Sequence, residues 1–471
     1  MKHYLWFGCI TALFTITSCQ KEMSPRQAND GSLSVATTDI TGDTNSVSLS
    51  AASQLAMGFL KDRNKSVSYT INSSQTITDK EGLPYFHVVN MDPGGFVVLS
   101  ASKLYPSILA YNDKGYFGID NPPIGIRRWL NKHASNIQGV RNLNTAKLDS
   151  IRTKNKRQWT GLLHKYVPSF RQPATSLKSD LLIQPTPATS INPPPPPTFT
   201  IDGYFTVAIN IGPLCGTSWD QGCNYNTYCP TNGETPTTAN NCGHDVAGCL
   251  PVSMAQIMYF WKLPASYNME TTMSLTAGTP SEAQLIGDIG SHTVGSGTFA
   301  SYSAGSTTCD DTYCADVFSD FGYKNVSRSE TISAQELSGA QNGTSYSTLL
   351  INELLNNQRP CIITGSTGEN DIIGIGYTPY TDRHSWVCEG IQQTQYWETI
   401  TETTYGTLGG IIDQYTYSNY LSASASMLYM NWGLGGVSNG WYNSTTDYSD
   451  DYSAGKDYSY FQTIVYNIYP S

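Results

Sequence analysis

Charge is scarce in this chain of 471 residues, where 14% of positions are Asp, Glu, Lys or Arg. Residues 1–199 hold 21 Lys+Arg and 12 Asp+Glu, whereas residues 200–471 hold only 6 Lys+Arg against 25 Asp+Glu. The near-absence of cations in the larger half excludes a simple nucleic-acid binder, because that half repels phosphates. A basic half joined to an acidic one instead suits two domains that steer toward each other. Long apolar runs are also lacking. The one membrane-directed stretch, Tyr4 to Ile16, is too short to span a bilayer. No heptad repeat is sustained, which excludes a coiled coil, and 41 Gly with 24 Pro in no fixed period exclude a collagen-like chain. There is no C-x-x-C pair and no H-E-x-x-H, so the common zinc patterns are missing and neither metal nor cofactor is expected.

The N-terminus reads as an address. Lys2 and His3 precede the apolar run, which closes on Ile16-Thr17-Ser18-Cys19. Small residues leading into a Cys resemble a bacterial lipoprotein signal, cleaved before Cys19 with lipid attached to that thiol. An ordinary secretory signal with a chance Cys is the alternative. The following Gln20-Lys21-Glu22 resembles the export tag of surface lipoproteins in some Gram-negative bacteria. The expectation is an outer-membrane or cell-surface lipoprotein, held to the membrane through its N-terminal lipid or released after processing. The choice between periplasmic and external face stays open.

Composition then divides the chain into a signal peptide (1–18), a Ser/Thr/Asn-rich tether (19–47), a basic unit (48–166), a linker (167–200) and an acidic domain (201–471). In the basic unit, the spacing of Ala52, Leu55, Ala56, Phe59 and Leu60 predicts a helix from about Ser50 to Lys61. Four strand-like runs follow at Val67–Ile71, Tyr85–Val89, Gly95–Leu99 and Ser107–Tyr111, then a basic helical stretch from Ile126 to Lys165. The linker, with Pro193–Pro197 at its end, favours extended polyproline II and is open to proteases. In the acidic domain helices are predicted at Cys249–Trp261, Tyr313–Gly322 and Tyr346–Asn356, with Tyr/Thr/Ile-rich strands after them. That order predicts an α+β fold whose helical and sheet halves meet across a cleft.

Eleven cysteines sharpen the reading. Cys9 falls in the signal and Cys19 is the lipid site; the remaining nine all lie in the acidic domain, and an odd number leaves at least one thiol unpaired. Cys249 follows Gly248 and opens a helix, where the macrodipole lowers a thiol pKa and favours nucleophilic use. Setting it aside leaves eight, enough for up to four disulfides, although Cys361 and Cys388 on core strands could equally be buried free thiols. His384 begins the strand-like run His384-Ser385-Trp386-Val387-Cys388-Glu389-Gly390, and Asn431 begins Asn431-Trp432-Gly433. The order Cys, His, Asn fits a papain-type arrangement, in which imidazole pairs with thiol and an Asn amide orients the ring. Gln221 precedes Cys249 by 28 residues and is placed to donate, with the Cys backbone N–H, to a tetrahedral oxyanion. His244 is the weaker candidate base, because its loop is local to the thiol, and His292 reads as an exposed loop residue.

Four stretches carry a family resemblance: Gly212–Pro230 around Trp219-Asp220-Gln221-Gly222, Gly248–Met258, His384–Gly390 and Asn431–Gly440. With them the acidic domain resembles the streptopain family of papain-clan cysteine peptidases. The basic unit, through Tyr85–Asn90 and Gly94–Ala101, resembles its inhibitory pro-segment. The resemblance implies a papain-like catalytic domain, a helical half and an antiparallel sheet half around a cleft, preceded by a small α+β pro-domain. It implies a zymogen that becomes an endopeptidase once the pro-segment is removed, acting on protein or peptide substrates with a bulky apolar residue two positions before the cleaved bond. Cys249 would be the nucleophile, His384 the general base and acid, and Gln221 the oxyanion donor, while Asn431 and Trp432 would orient and shield the histidine. Two features depart from the family pattern. Asp382-Arg383 stands where Gly is usual before the histidine, and a long Tyr/Thr-rich insert at Gln392–Ser426 predicts an added hairpin near the cleft. Two other functions stay open on the sequence: a non-enzymatic surface-binding lipoprotein on a decayed protease fold, and an acyl transferase using the same nucleophile.

Overall fold

A computed structural model of the chain describes residues 45–120, 122, 124–142, 146–170, 197–303, 305–330, 348–366, 383–406, 410–443 and 463–471. The expected signal peptide, Cys19, nearly all of the tether, Asp382, most of the linker and most of the Tyr-rich stretch after Tyr442 lie outside these residues.

The N-terminal unit is one meander with a helix on each side. Helix α1 (Leu49–Arg63) starts where the Ser48 hydroxyl accepts from the Ala51 N–H at 3.3 Å. Strands β1 (Thr70–Thr78), β2 (Pro84–Asp92), β3 (Phe96–Ser100) and β4 (Ile108–Asn112) pair in sequence, all antiparallel. The first begins three residues later than its apolar run suggests and carries its polar residues outward. The basic stretch divides into α2 (Ile124–Asn142) and α3 (Ala146–Tyr166). Helices α1 and α3 cover one face of the meander through Leu55, Phe59, Trp159 and Leu162. Helix α2 covers the other through Ile126, Leu130, Ala134 and Ile137.

The C-terminal unit places helices α4 (Cys249–Trp261), α5 (Pro280–Ser291) and α6 (Cys314–Asp320) against one face of an antiparallel sheet. Its strands are β5 (Thr198–Ile211), β6 (Ser327–Glu330), β7 (Cys361–Ser366), β8 (Arg383–Tyr405), β9 (Ile411–Asn431), β10 (Gly440–Asn443) and β11 (Thr463–Tyr466). This is the expected α+β architecture, a helical half against an antiparallel sheet half. Helix α5 was not read from the sequence, although Thr279-Pro280-Ser281-Glu282 is a capping-box signature and the Thr279 N–H donates to the Glu282 carboxylate at 3.0 Å.

The two units form a single sheet of 11 strands, in the order β1-β2-β3-β4-β10-β9-β8-β7-β11-β6, with β5 alongside β8. The seam is the pairing of Tyr111 with Trp441 and of Ala110 with Tyr442. One hydrophobic cluster runs through it, from Phe86, Val98 and Leu130 to Trp386, Leu428 and Trp432. Among the described residues, the Arg157–Glu398 ion pair and the His164–Asp202 hydrogen bond, each at 2.8 Å, add polar contacts between the two units. The Glu398 carboxylate is fully buried and held by the guanidinium through Nε as well as Nη2. Glu398 belongs to the insert, which is a hairpin of β8 and β9 as expected. Rather than lining the cleft, its distal part pairs with β5 and lies beneath α3, where the Tyr396 hydroxyl donates to the Gln158 carbonyl.

Disulfide formation falls short of what the cysteine count allows. Cys223 and Cys242 are bridged, while Cys215, Cys229, Cys249, Cys309, Cys314, Cys361 and Cys388 are free. Cys361 and Cys388 face each other across β7 and β8 as buried thiols.

Two buried histidines in the N-terminal unit give the stability of the chain a pH dependence. His87 is held by the Val47 carbonyl at 2.8 Å, and His133 by the Tyr105 hydroxyl at 2.8 Å. Burial lowers them from an ordinary 6.5 to about 4 and about 3 respectively. The unfolded chain takes up protons below its pKa of 6.5 that the folded chain refuses, so stability is lost as pH falls from that value toward the folded ones. The thermal midpoint is expected to drop by several degrees between about pH 7 and about pH 4, and His133→Asn to flatten that fall. A midpoint independent of pH over this range would contradict the assignment.

Candidate active site

Cys249 is the first residue of α4. The preceding Gly248 has φ +90°, and a Cβ there would stand 3.0 Å from the Thr307 methyl, so the turn that presents the thiol suits only glycine. The turn is fixed by the Ala247 N–H, which donates to the Gln221 carbonyl at 2.9 Å. Across the cleft, the Ser385 backbone N–H on β8 donates to Cys249 Sγ at 3.3 Å. The Ser253 hydroxyl, one turn into α4, bonds the Cys249 carbonyl at 2.8 Å and reaches the Ser385 carbonyl at 3.4 Å, tying helix to strand.

His384 is buried beside the thiol. Its Nε2 lies 2.9 Å from the Trp432 carbonyl, which can only accept, so Nε2 carries the proton and Nδ1 is left for the sulfur. The ring is near-parallel to two indoles, at 20° to Trp386 and 21° to Trp432. Trp432 is itself fixed by its Nε1, which donates to the Ser438 carbonyl at 3.0 Å. Burial pushes the Cys249 thiol up, but the hydrogen bond and charge of His384, together with the Ser385 N–H, outweigh it and leave the thiol below its ordinary 9.0. Burial pushes the free thiols of Cys215, Cys309, Cys314, Cys361 and Cys388 the other way. Cysteine counting does not single out Cys249; its histidine does.

Gln221 is buried near the thiol's turn, and among the described residues its carboxamide makes no hydrogen bond, leaving its N–H groups for an incoming acceptor. Asn431 differs from expectation. Its amide donates to the Thr217 carbonyl at 2.7 Å and to Glu389 Oε1 at 2.9 Å, and its oxygen accepts from Gln256 and Asn439, each at 3.1 Å; none of its bonds goes to His384. The reason is strand alternation. Asn431 pairs with Val387 and shares the face of the sheet that α4 covers, whereas His384 and Trp386 turn to the other face. Orientation of the imidazole falls instead to the next residue, Trp432, through its backbone carbonyl and its ring.

The structure also brings in three residues that the sequence reading did not single out for a role: Glu389, Thr217 and Gln256. All are buried, and together with Asn431 they form one hydrogen-bonded cluster behind Cys249 and His384. An ionisable residue directly after the apolar run Trp386–Cys388 was the available signal for Glu389. His244 is bound through Nδ1 to the Cys229 carbonyl at 2.8 Å, and His292 pairs with Asp320 at 2.8 Å.

Comparison with known proteins follows the same division of the chain. Residues 44–137 match the model of the Spi protease inhibitor family, and residues 219–282 match that of the Peptidase C10 family. The second segment includes Gln221 and Cys249, while His384 lies beyond it. No curated protein matches. Among solved structures, a fragment of prointerpain A from Prevotella intermedia aligns at 15% identity with a TM-score of 0.43, covering 86% of this chain and 100% of that one. Both parts of the resemblance are thus matched in chain order, an inhibitor domain followed by a cysteine peptidase domain.

The pairing of thiol and imidazole generates a direct test. The rate of alkylation of Cys249 by a neutral thiol reagent should reach half its maximum below the roughly 8.5 of a free cysteine. His384→Ala should move that midpoint upward, because burial alone then acts on the thiol. An unchanged profile in His384→Ala would show that the two groups are not coupled.

Proposed function

We propose that this chain, a Spi-type inhibitor domain followed by a Peptidase C10 domain, is the zymogen of an exported cysteine endopeptidase working through a thioester acyl-enzyme. The observation that carries this reading is the Cys249 thiol at the start of α4, facing His384 and the Ser385 N–H across the cleft. The thiolate attacks the substrate carbonyl carbon. The oxyanion forms between the Cys249 backbone N–H and the Gln221 carboxamide, where one donor is typically worth about 10²–10³ in rate. The His384 imidazolium gives its proton to the departing amine, leaving a thioester on Cys249. Neutral His384 then takes a proton from water, which attacks the thioester and releases the acid. The Trp432 carbonyl on Nε2 favours the imidazolium and keeps the ring in place throughout.

Latency follows from how the pro-domain sits. Gly125, in the first turn of α2, packs so closely that a Cβ there would lie 2.3 Å from Trp432 and 3.1 Å from Trp386. Those are the two indoles stacked on His384. Beside them the Ser438 N–H donates to the Tyr116 carbonyl, and the Gly118 N–H to the Ser438 hydroxyl. The pro-domain thus grips the loop that orients the histidine. Intact chain should hydrolyse a fluorogenic peptide, with a bulky apolar residue two positions before the scissile bond, at least about 100-fold more slowly than chain cut within 171–196 and cleared of its pro-domain. Gly125→Val should raise the activity of intact chain, because the added methyls collide with Trp432. Equal rates for intact and cut chain would rule out latency.

Export and anchoring through Cys19 belong to the same proposal. They are supported by the apolar run that ends at this Cys and by a bridged Cys223–Cys242 pair, which suits an oxidising compartment. Cys19→Ser should move the protein from the membrane fraction to the soluble one. Retention in the membrane would argue against a lipid on this thiol.

A further inference from the structure

Glu389 lies on β8, five residues beyond His384, and is fully buried. Among the described residues no cation pairs with it. It sits at an irregularity in the ladder: Cys388 pairs with Met430 and Gly390 with Tyr429, so Glu389 is the extra residue of a β-bulge. A bulge residue leaves the ladder and its side chain is re-aimed, an arrangement common beside active sites.

What it is aimed at is the loop that leads to Gln221. The Glu389 carbonyl accepts from the Leu214 N–H at 2.9 Å. Its carboxylate Oε2 accepts from the N–H groups of Cys215 at 2.5 Å and Gly216 at 2.9 Å. Oε1 accepts from the Asn431 amide at 2.9 Å. One residue therefore captures three consecutive backbone N–H groups. The next residue, Thr217, is held by Asn431 through its carbonyl and by Gln256 of α4 through its hydroxyl at 2.9 Å. From Leu214 to Thr217 the loop is bound to β8, β9 and the nucleophile's helix. Gln221 follows four residues later, and its carbonyl holds the turn before Cys249.

We infer that Glu389 is a positioning residue for the oxyanion site, setting through this loop where the Gln221 donor stands relative to Cys249. Every group its carboxylate meets is a donor, three N–H groups and the Cys215 thiol, so a carboxylate satisfies all of them and a carboxamide cannot, because its NH₂ must face a donor. The inference rests on the peptidase reading above and makes a different demand, since alkylation of Cys249 needs no oxyanion donor whereas hydrolysis does.

The test is a double-mutant cycle on the chain after pro-domain removal, with active-site titration to count folded enzyme. Glu389→Gln should lower kcat about 10-fold or more with KM changed by less than about threefold, and leave the rate and pH midpoint of Cys249 alkylation unchanged. Gln221→Ala should lower kcat by itself, and the double variant should be no slower than Gln221→Ala within about threefold. Multiplied losses would overturn the inference, as would an alkylation profile that moves with Glu389→Gln or a kcat per titrated site that does not. If Glu389→Gln fails to fold, Thr217→Val, which cuts the loop's bonds to Gln256 and Asn431 at the hydroxyl, should give the same loss in kcat and the same lack of additivity with Gln221→Ala; additive losses there would equally overturn it. A wild-type chain that neither hydrolyses peptide nor labels at Cys249 would overturn the peptidase reading itself.

Discussion

The alternation of side chains along β8 is the constraint on which the cleft depends. This strand is buried on both faces near its start, so each step of one residue transfers a side chain from one core to the other. His384, Trp386 and Cys388 face the core shared with the pro-domain, while Val387 faces α4. The His384 imidazole therefore stands on the side the pro-domain covers, although the Cys249 thiol is mounted on the opposite side. The two meet only because His384 lies at the very beginning of β8 (Arg383–Tyr405), above the N-terminus of α4 (Cys249–Trp261). Glu389 keeps the face of Val387 and Asn431, turned toward the loop that leads to Gln221, and the bulge there rephases the strand beyond it, so that Ile391 joins the core of Trp386 and Cys388.

Latency and catalysis are coupled through this arrangement. A pro-domain that merely plugged the cleft could be held by surface charge, and the basic and acidic halves suggest as much. The seam is instead a continuous sheet over a continuous apolar core, and burial of apolar surface dominates association of that kind. The charged contacts act differently. Arg157 is half-exposed, but its partner Glu398 is fully buried, so removing the guanidinium would leave an unpaired carboxylate under α3.

Much of this was legible in the sequence, and the reason is locality. A glycine, a thiol and a proline in the first helical turn mark the start of α4 within four residues, and the structure begins the helix at that cysteine. The pro-domain strands were visible as short β-branched runs between turns. What could not be read required knowing which face a residue occupies across a ladder. Asn431 follows β9 in register with Val387, and nothing local distinguishes a side chain aimed at His384 from one aimed at Gln256. The hairpin was read correctly as a hairpin and placed wrongly, because its packing partner lies 241 residues away in sequence. Cysteine parity allowed up to four bridges where one is formed, and Cys361 and Cys388 meet on adjacent strands as the buried thiols that their core-strand positions offered as one of two readings.

Gln221 is a polar side chain that this organisation leaves unpaired. Of the amides around it, Asn431 bonds at both ends, Asn439 donates to it, and Gln256 donates to both Thr217 and Asn431 while its own oxygen is buried without a partner among the described residues. Its carboxamide makes no hydrogen bond among the described residues, so its N–H groups are open to an incoming acceptor. The structure nevertheless fixes its loop from Leu214 to Thr217 and anchors its carbonyl to the turn of Cys249. Local stability would be better served by letting the side chain turn outward or bond within the cluster. A donor kept unpaired and immobile beside a nucleophile is useful only when an acceptor develops there, as the oxyanion of acyl transfer does. On that argument, the open donor of Gln221 and the depth of the Glu389 anchor are two sides of one preorganised site.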